Sequence, residues 1–256
     1  KHARKVFKVI SECSYGDGTG EPGFINSDKL ARNDKGLEEF KLGNFVGSQK
    51  YQIEDDTILL YDRLLKRFKK LKYNMICNPC GEIALSTLGG YCVIADVVPY
   101  FADTLDEAEE AFRVATRALM RVNTMDSLYN METKRTNRIG VGMTGVHEFA
   151  WKFFGYSFND LIDEEKSKDF WMTLARFNRA VWEESNLYAE KIRVNVPHTV
   201  TTIKPAGTTS KLFGLTEGWH LPSMAWYLRW VQFRNDDPLV EKYKEAGYPA
   251  SLYFST

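Results

Sequence analysis

The chain has 256 residues, with 34 Lys+Arg balanced by 34 Asp+Glu, 44% hydrophobic residues and 27% charged ones. That length holds one large domain or two small ones, the composition is too apolar for disorder, and zero net charge gives no global field for nucleic acid or an acidic membrane. No apolar run reaches the ~18 residues of a membrane span. The N-terminal KHARKVFKVI lacks a signal-peptide core, and four cysteines are too few for a disulfide scaffold, so a cytoplasmic protein is expected. The chain opens on Lys1 rather than Met, and a piece of a longer protein is expected.

Residues 1–53 read as loop-rich, with a turn cluster at GDGTGEPG, Gly16 to Gly23. From Glu54 to Leu71 the positions Ile58, Leu59, Tyr61, Leu64, Leu65, Phe68 and Leu71 recur at helical spacing. The basic residues between them read as a solvated face rather than a nucleic-acid surface. Thr104-Leu105-Asp106-Glu107 has capping-box spacing and opens a helix to about Asn123. A short strand, Arg138 to Met143, precedes a helical pattern through Phe154. Glu164 to Ile192 is the longest periodic segment, with Phe170, Leu174, Phe177, Val181 and Leu187 on one side. His198 to Lys204 is β-rich and leads into PAGTTSKLFG, Ala225 to Phe233 alternates as a strand, and Pro238 opens a last short helix. Strands alternating with helices predict an α/β architecture with parallel pairing.

The densest chemistry lies in CNPCGEIALSTLGGYC, Cys77 to Cys92. Cys77 and Cys80 have the C-x2-C spacing of a zinc knuckle, with Cys92 as a further ligand, which would make a zinc-stabilised binding module. C-N-P-C also has the form of a thioredoxin-like redox pair, although Gly81 follows where a helix should open. Buried cysteines packing as small hydrophobes account for Cys77 but not for a carboxylate two residues from Cys80. In an extended segment Asn78, Cys80 and Glu82 share one face, bringing an amide, a thiol and a carboxylate to one substrate.

N-P-C-G-E resembles the active-site finger loop of ribonucleotide reductases. RIGVGMTGVHEF (Arg138 to Phe149), TTIKPAGTTSKLFG (Thr201 to Gly214), EGWH, the following YLRWVQF and EPGFIN (Glu21 to Asn26) are similar, in family order, to the adenosylcobalamin-dependent (class II) branch, particularly its monomeric triphosphate reductases. The resemblance implies a single catalytic domain over residues 1–256, forming the second half of a ten-stranded α/β barrel with the finger loop at its centre. It implies reduction of ribonucleotides to 2′-deoxyribonucleotides for DNA precursor synthesis. Cys80 becomes a thiyl radical and abstracts the ribose 3′-hydrogen, Glu82 takes the 3′-hydroxyl proton, and Asn78 holds the sugar. Cys92 is one member of the reducing cysteine pair. Ala206, Gly207, Thr208 and Thr209 cradle the substrate phosphates.

The implied cofactor is adenosylcobalamin. The alternative is a radical delivered by a separate metal-containing subunit through a tyrosine relay, to which neither Tyr227 nor Tyr253 is assigned. The implied partners are a ribonucleoside di- or triphosphate, a thioredoxin-like or other dithiol reductant, and the missing N-terminal half of the enzyme. No DNA or membrane binding is expected. GVGMTG, Gly140 to Gly145, matches the dinucleotide fingerprint, but the residues before it are not a buried apolar run, so packing of a strand against its helix is the expected reason for these glycines. His2, His147, His198 and His220 have no ligand spacing and read as structural or surface residues.

Overall fold

Strand β3, Val93–Val97, and strand β4, Ile139–Met143, pair in parallel from Val93↔Ile139 to Val97↔Met143. The computed structural model describes residues 2–17, 59–60, 63–64, 66–67, 70, 75–78, 80–86, 89–220 and 231–252. A third segment joins the other side of β4. Ile139 N–H donates to Thr199 O (3.0 Å), Val141 N–H to Val200 O (2.8 Å) and Thr202 N–H to Val141 O (3.2 Å), around a parallel bridge between Val141 and Thr201. Packing covers the faces of β4 as neighbouring segments pair with its edges, and every one of its residues is buried. Helices connect the parallel segments, so the chain has the α/β architecture expected of it.

Alternation along the strands sorts the two faces of this sheet. Val97, Ile139, Val141 and Met143 enter one apolar core, with Val93 and Ala95 packed against it. The core is completed by α2 (Leu105–Val122), α4 (Val146–Phe154) and α6 (Lys168–Ile192), through Phe112, Leu119, Met120, Phe149, Phe170, Phe177 and Val181. The rings of Phe112 and Phe177 stack at 4.9 Å where α2 meets α6. Thr104 caps α2 as its spacing predicts, its hydroxyl accepting from Glu107 N–H at 3.1 Å. In α6, Phe170, Phe177 and Val181 are buried and Leu174 packs on the core. Leu187 is 63% exposed, because six residues beyond Val181 the helix has turned well off the buried face. The shorter α3 (Asn130–Thr136) and α5 (Phe158–Leu161) fill the connections.

The start of the stretch read as loop-rich is helical instead, while residues 18–53, with most of the turn cluster, lie outside the described residues. His2–Asp17 is a helix, α1, with Lys8 and Glu12 paired one turn apart at 3.6 Å. No proline or glycine interrupts the chain before Gly16, and Ala3, Arg4, Lys5, Lys8 and Glu12 are good helix formers. Of the helix expected over Glu54–Leu71, residues 59–60, 63–64 and 66–67 are helical. The rest of that helix except Lys70, the EPGFIN segment, residues 225–230 of the expected strand, Tyr227 and Tyr253 lie outside the described residues. Residues 231–233 are in no regular element.

By contacts the chain divides into two units, Lys1–Leu221 and Pro222–Thr256. The first holds α1 to α6, the sheet, an antiparallel hairpin of β1 (Met75–Cys77) and β2 (Ala84–Ser86), and the short α7 (Thr209–Phe213). The second holds α8 (Pro238–Glu245), where Pro238 occupies the first turn and the Asp237 carboxylate accepts from Leu239 N–H at 2.9 Å. No helix among the described residues is long and apolar enough to cross a membrane.

Candidate active site

The segment carrying Asn78, Cys80 and Glu82 is a hairpin turn rather than the extended run expected. Cys77 pairs with Ala84, and Asn78 N–H donates to Ile83 O at 3.1 Å. Gly81 N–H folds back onto Asn78 O at 2.9 Å, with Gly81 at φ +78°. Asn78 Oδ1 accepts from Ile83 N–H at 3.1 Å, so the asparagine side chain supplies the bond that a ladder carbonyl would have made. Asparagine and glycine are turn formers for these reasons, and local chemistry overrides the period-two reading. Cys80 is exposed on this turn. Glu82 is half-buried, and its buried Oε2 has no hydrogen-bond partner among the described residues.

The hairpin is tied to the sheet on the side away from the helices. Thr202 Oγ1 donates to Glu82 O at 2.9 Å, and a Cβ placed on Gly140 would lie 2.8 Å from Thr202 Cγ2 and 3.4 Å from Ile83 Cδ1. At Gly142 the same construction meets Thr202 O at 3.1 Å and Lys204 Cβ at 3.6 Å. These two glycines therefore admit the third segment and the hairpin, not a helix as the sequence suggests. They also sit inside β4 rather than in a turn after it, which removes the dinucleotide-binding reading. Of the GVGMTG glycines, Gly145 serves the helix, capping α4 at φ +69° against Leu215.

Cys92 immediately precedes β3. It is reached through Gly89 and Gly90, at φ +112° and +106°, where a side chain would run into the Tyr129 ring and Glu132. The register Val93↔Ile139 makes Cys92 the neighbour of Arg138, a fully buried arginine. Burial pushes the Cys92 thiol up to about 12, Arg138 pulls against that shift and Glu82 adds to it. The thiol, the guanidinium and the Glu82 carboxylate thus share one electrostatic neighbourhood.

At the other end of β3 lies Asp96, four residues and about 13 Å along the strand. Its Oδ2 accepts from Lys204 Nζ at 3.0 Å and from Thr209 Oγ1 at 2.6 Å, while the buried Oδ1 has no hydrogen-bond partner among the described residues. Thr209 starts α7 after the turn Ala206-Gly207-Thr208. Ala206 is buried at φ +53°, and Gly207 and Thr208 are exposed. Among the described residues no backbone acceptor takes the Gly207 or Thr208 N–H. Asp96 stands outside every motif read from the sequence, and Arg138, Thr202 and Lys204 lie inside such motifs without a role being assigned to them. The available signals were one carboxylate inside the apolar run VIADVV and an arginine directly before a wholly buried strand.

Among the described residues no group of three or more His, Cys, Asp or Glu side chains could hold a metal. Cys77 lies in a strand, Cys80 on the exposed turn and Cys92 beyond the Gly-Gly bend, which removes the zinc module built on these three. Nor does C-N-P-C open a helix, since a hairpin into β2 follows it, against the thioredoxin-like reading.

No protein-family model matches the chain. A curated adenosylcobalamin-dependent ribonucleoside-triphosphate reductase of Lactobacillus acidophilus is 31% identical over 248 residues, covering 90% of this chain and 29% of that protein. The protein of the same name from Levilactobacillus brevis is 32% identical over 190 residues, covering 67% of this chain and 25% of its own length. The chain thus spans less than a third of the curated relatives it matches. A solved structure described as a B12-dependent (class II) ribonucleotide reductase aligns with 57% of this chain and 23% of its own, at 22% identity and a TM-score of 0.44.

Proposed function

The chain is homologous to a segment of the adenosylcobalamin-dependent ribonucleoside-triphosphate reductases, and we propose that it carries the substrate-reducing site of such an enzyme, acting in the cytoplasm to make deoxyribonucleotides. The observation that carries this reading is that Cys92 and Arg138 are register neighbours at the start of the sheet to which Thr202 ties the hairpin of Cys80 and Glu82. On this reading the three parallel segments are part of the ten-stranded barrel and the β1–β2 hairpin is its finger loop.

Each residue then has one task. Cys80, as a thiyl radical, takes the 3′-hydrogen of the ribose. Glu82 accepts the 3′-hydroxyl proton with its unpartnered oxygen, and a buried carboxylate oxygen that lacks a donor is poised for that bond. Asn78 spends Oδ1 on the turn and keeps its amide N–H groups for the sugar. The 2′-hydroxyl takes a proton from the reducing thiol pair and leaves as water, and the hydrogen held by Cys80 returns to C3′ once the ring is reduced. Two electrons come from Cys92 and a second thiol in the part of the enzyme beyond this chain, which end as a disulfide for an external dithiol to reduce. Ala206 to Thr209 hold the phosphates of a ribonucleoside di- or triphosphate through the Gly207 and Thr208 amides.

The donor set fits a radical cofactor at one point. Cys80 is exposed, in no disulfide, and reachable by a large group without displacing the core. When bound, adenosylcobalamin would supply the odd electron that Cys80 carries.

The test is isotope exchange at the substrate 3′ position in the full-length enzyme. Cys80→Ser should abolish both exchange and turnover, whereas Cys92→Ser should retain exchange and lose repeated turnover. Full turnover by Cys80→Ser would overturn the reading.

A further inference from the structure

We propose that Asp96 is a positioning residue for the phosphates, acting through Lys204 and Thr209 rather than by touching the substrate. This rests on the reading of Ala206 to Thr209 as the phosphate cradle. The Asp96 side chain is 4% exposed, and a carboxylate so placed persists only when cations or donors answer it. Here both answering groups come from the phosphate end. Lys204 Nζ lies 3.0 Å from Oδ2, and Thr209 Oγ1 lies 2.6 Å from the same oxygen.

The route between them depends on a missing side chain. Asp96 is on β3, Lys204 follows the third segment, and β4 lies between them. Asp96 pairs in register with Gly142, and a Cβ on Gly142 would lie 3.6 Å from Lys204 Cβ. Lysine therefore crosses the central strand at a glycine to reach the carboxylate. Pro205 and Ala206 separate the anchored Lys204 from the Gly207-Thr208 pair, and Thr209 anchors the far side. One oxygen thus fixes both ends of the turn that presents the free amides. Asp96 also offsets the Lys204 charge, so selection among phosphates falls to the directed amides and not to a loose ammonium.

The probes are a ribonucleoside triphosphate and the same nucleoside without phosphate, bound to the full-length enzyme at equilibrium. Asp96→Ala should weaken triphosphate binding by about tenfold, the equivalent of one charge-assisted hydrogen bond, and leave nucleoside binding unchanged. Asp96→Asn should lose less, since its amide oxygen still accepts from Thr209. In a Lys204→Met/Thr209→Val background, Asp96→Asn should change neither affinity, because the groups it acts through are gone. This background and the Asn variant carry the test if Asp96→Ala does not fold. Equal losses for triphosphate and nucleoside, or an undiminished Asp96→Asn effect in that background, would overturn the inference. A parent enzyme with no preference for triphosphate over nucleoside would instead sink the phosphate-cradle reading itself.

Discussion

Gly140→Ala tests the packing that seats the hairpin on the sheet. The new Cβ would lie 2.8 Å from Thr202 Cγ2 and 3.3 Å from Thr202 Cβ. Carbon atoms rest at roughly 3.5–4.0 Å, so the threonine methyl must retreat by about 0.7 Å or more. Thr202 is not free to turn aside, because its hydroxyl holds Glu82 O at 2.9 Å. Its retreat therefore pulls on the chain next to the Glu82 carboxylate. Overpacking of this kind costs about 1–3 kcal/mol, and alanine in place of a strand glycine returns about 0.5–1 kcal/mol. A net loss centred on about 1 kcal/mol is expected.

Thr202→Ala alone should cost about 1 kcal/mol for its hydrogen bond. It also removes the methyl at 2.8 Å, so in the double variant most of the Gly140→Ala cost should disappear. The two costs should then fall short of additivity by about 1 kcal/mol. Urea midpoints for the four proteins measure the energies, and amide exchange at Asn78 and Ile83 reports whether the hairpin loosens. Costs that simply add, or a Gly140→Ala protein as stable as its parent, would refute the argument.

The remaining expectations concern the supports of the site. Arg113→Ala should destabilise the α2–α6 seam by about 1–2 kcal/mol and lose part of that effect in high salt, since Arg113 is held by Glu109 of its own helix at 2.9 Å and reaches across the seam to Glu183 at 3.1 Å. Gly90→Ala should cost about 1–3 kcal/mol, because φ +106° is closed to alanine and its Cβ would sit 3.1 Å from Glu132 Cγ. Thermal unfolding checks both, with a neutral result counting against the bend at Gly89-Gly90 as the device that places Cys92.

What the sequence disclosed divides by range. Elements whose signals are local were legible: the cap at Thr104, the long α6, the Pro238 start of α8 and the β-rich 198–204 segment. The hairpin was misjudged because period two and turn chemistry compete in C-N-P-C-G-E, and only the Asn78–Ile83 bond decides between them. Gly140 and Gly142 could be singled out but not explained, since their partners Thr202 and Lys204 lie some sixty residues on. Asp96 was invisible for the same reason. A lone carboxylate in an apolar strand gains a meaning only once the fold delivers a lysine and a threonine to it.

The last consequence concerns Cys92, whose thiol is held near 12 against an ordinary 9.0, by burial first, with Arg138 opposing and Glu82 reinforcing. A thiol in that condition keeps its proton where an exposed cysteine begins to lose it, so it is a weaker acid and a poor nucleophile at neutral pH. The sign for stability follows from linkage: the folded protein holds this proton more tightly than the unfolded chain. The contribution of Cys92 is therefore complete below about pH 9 and is lost as pH rises toward about 12. Cys92→Ser removes the titrating group, so the stability of the parent relative to this variant should fall across that window. Alkylation at pH 8, followed by mass spectrometry, should label exposed Cys80 well before Cys92. Arg138→Met should slow the labelling of Cys92 further, because the guanidinium is the charge that favours its thiolate. Equal labelling of the two cysteines, or a parent-to-variant difference that stays flat from pH 9 to 12, would show that Cys92 is not held as a protonated thiol.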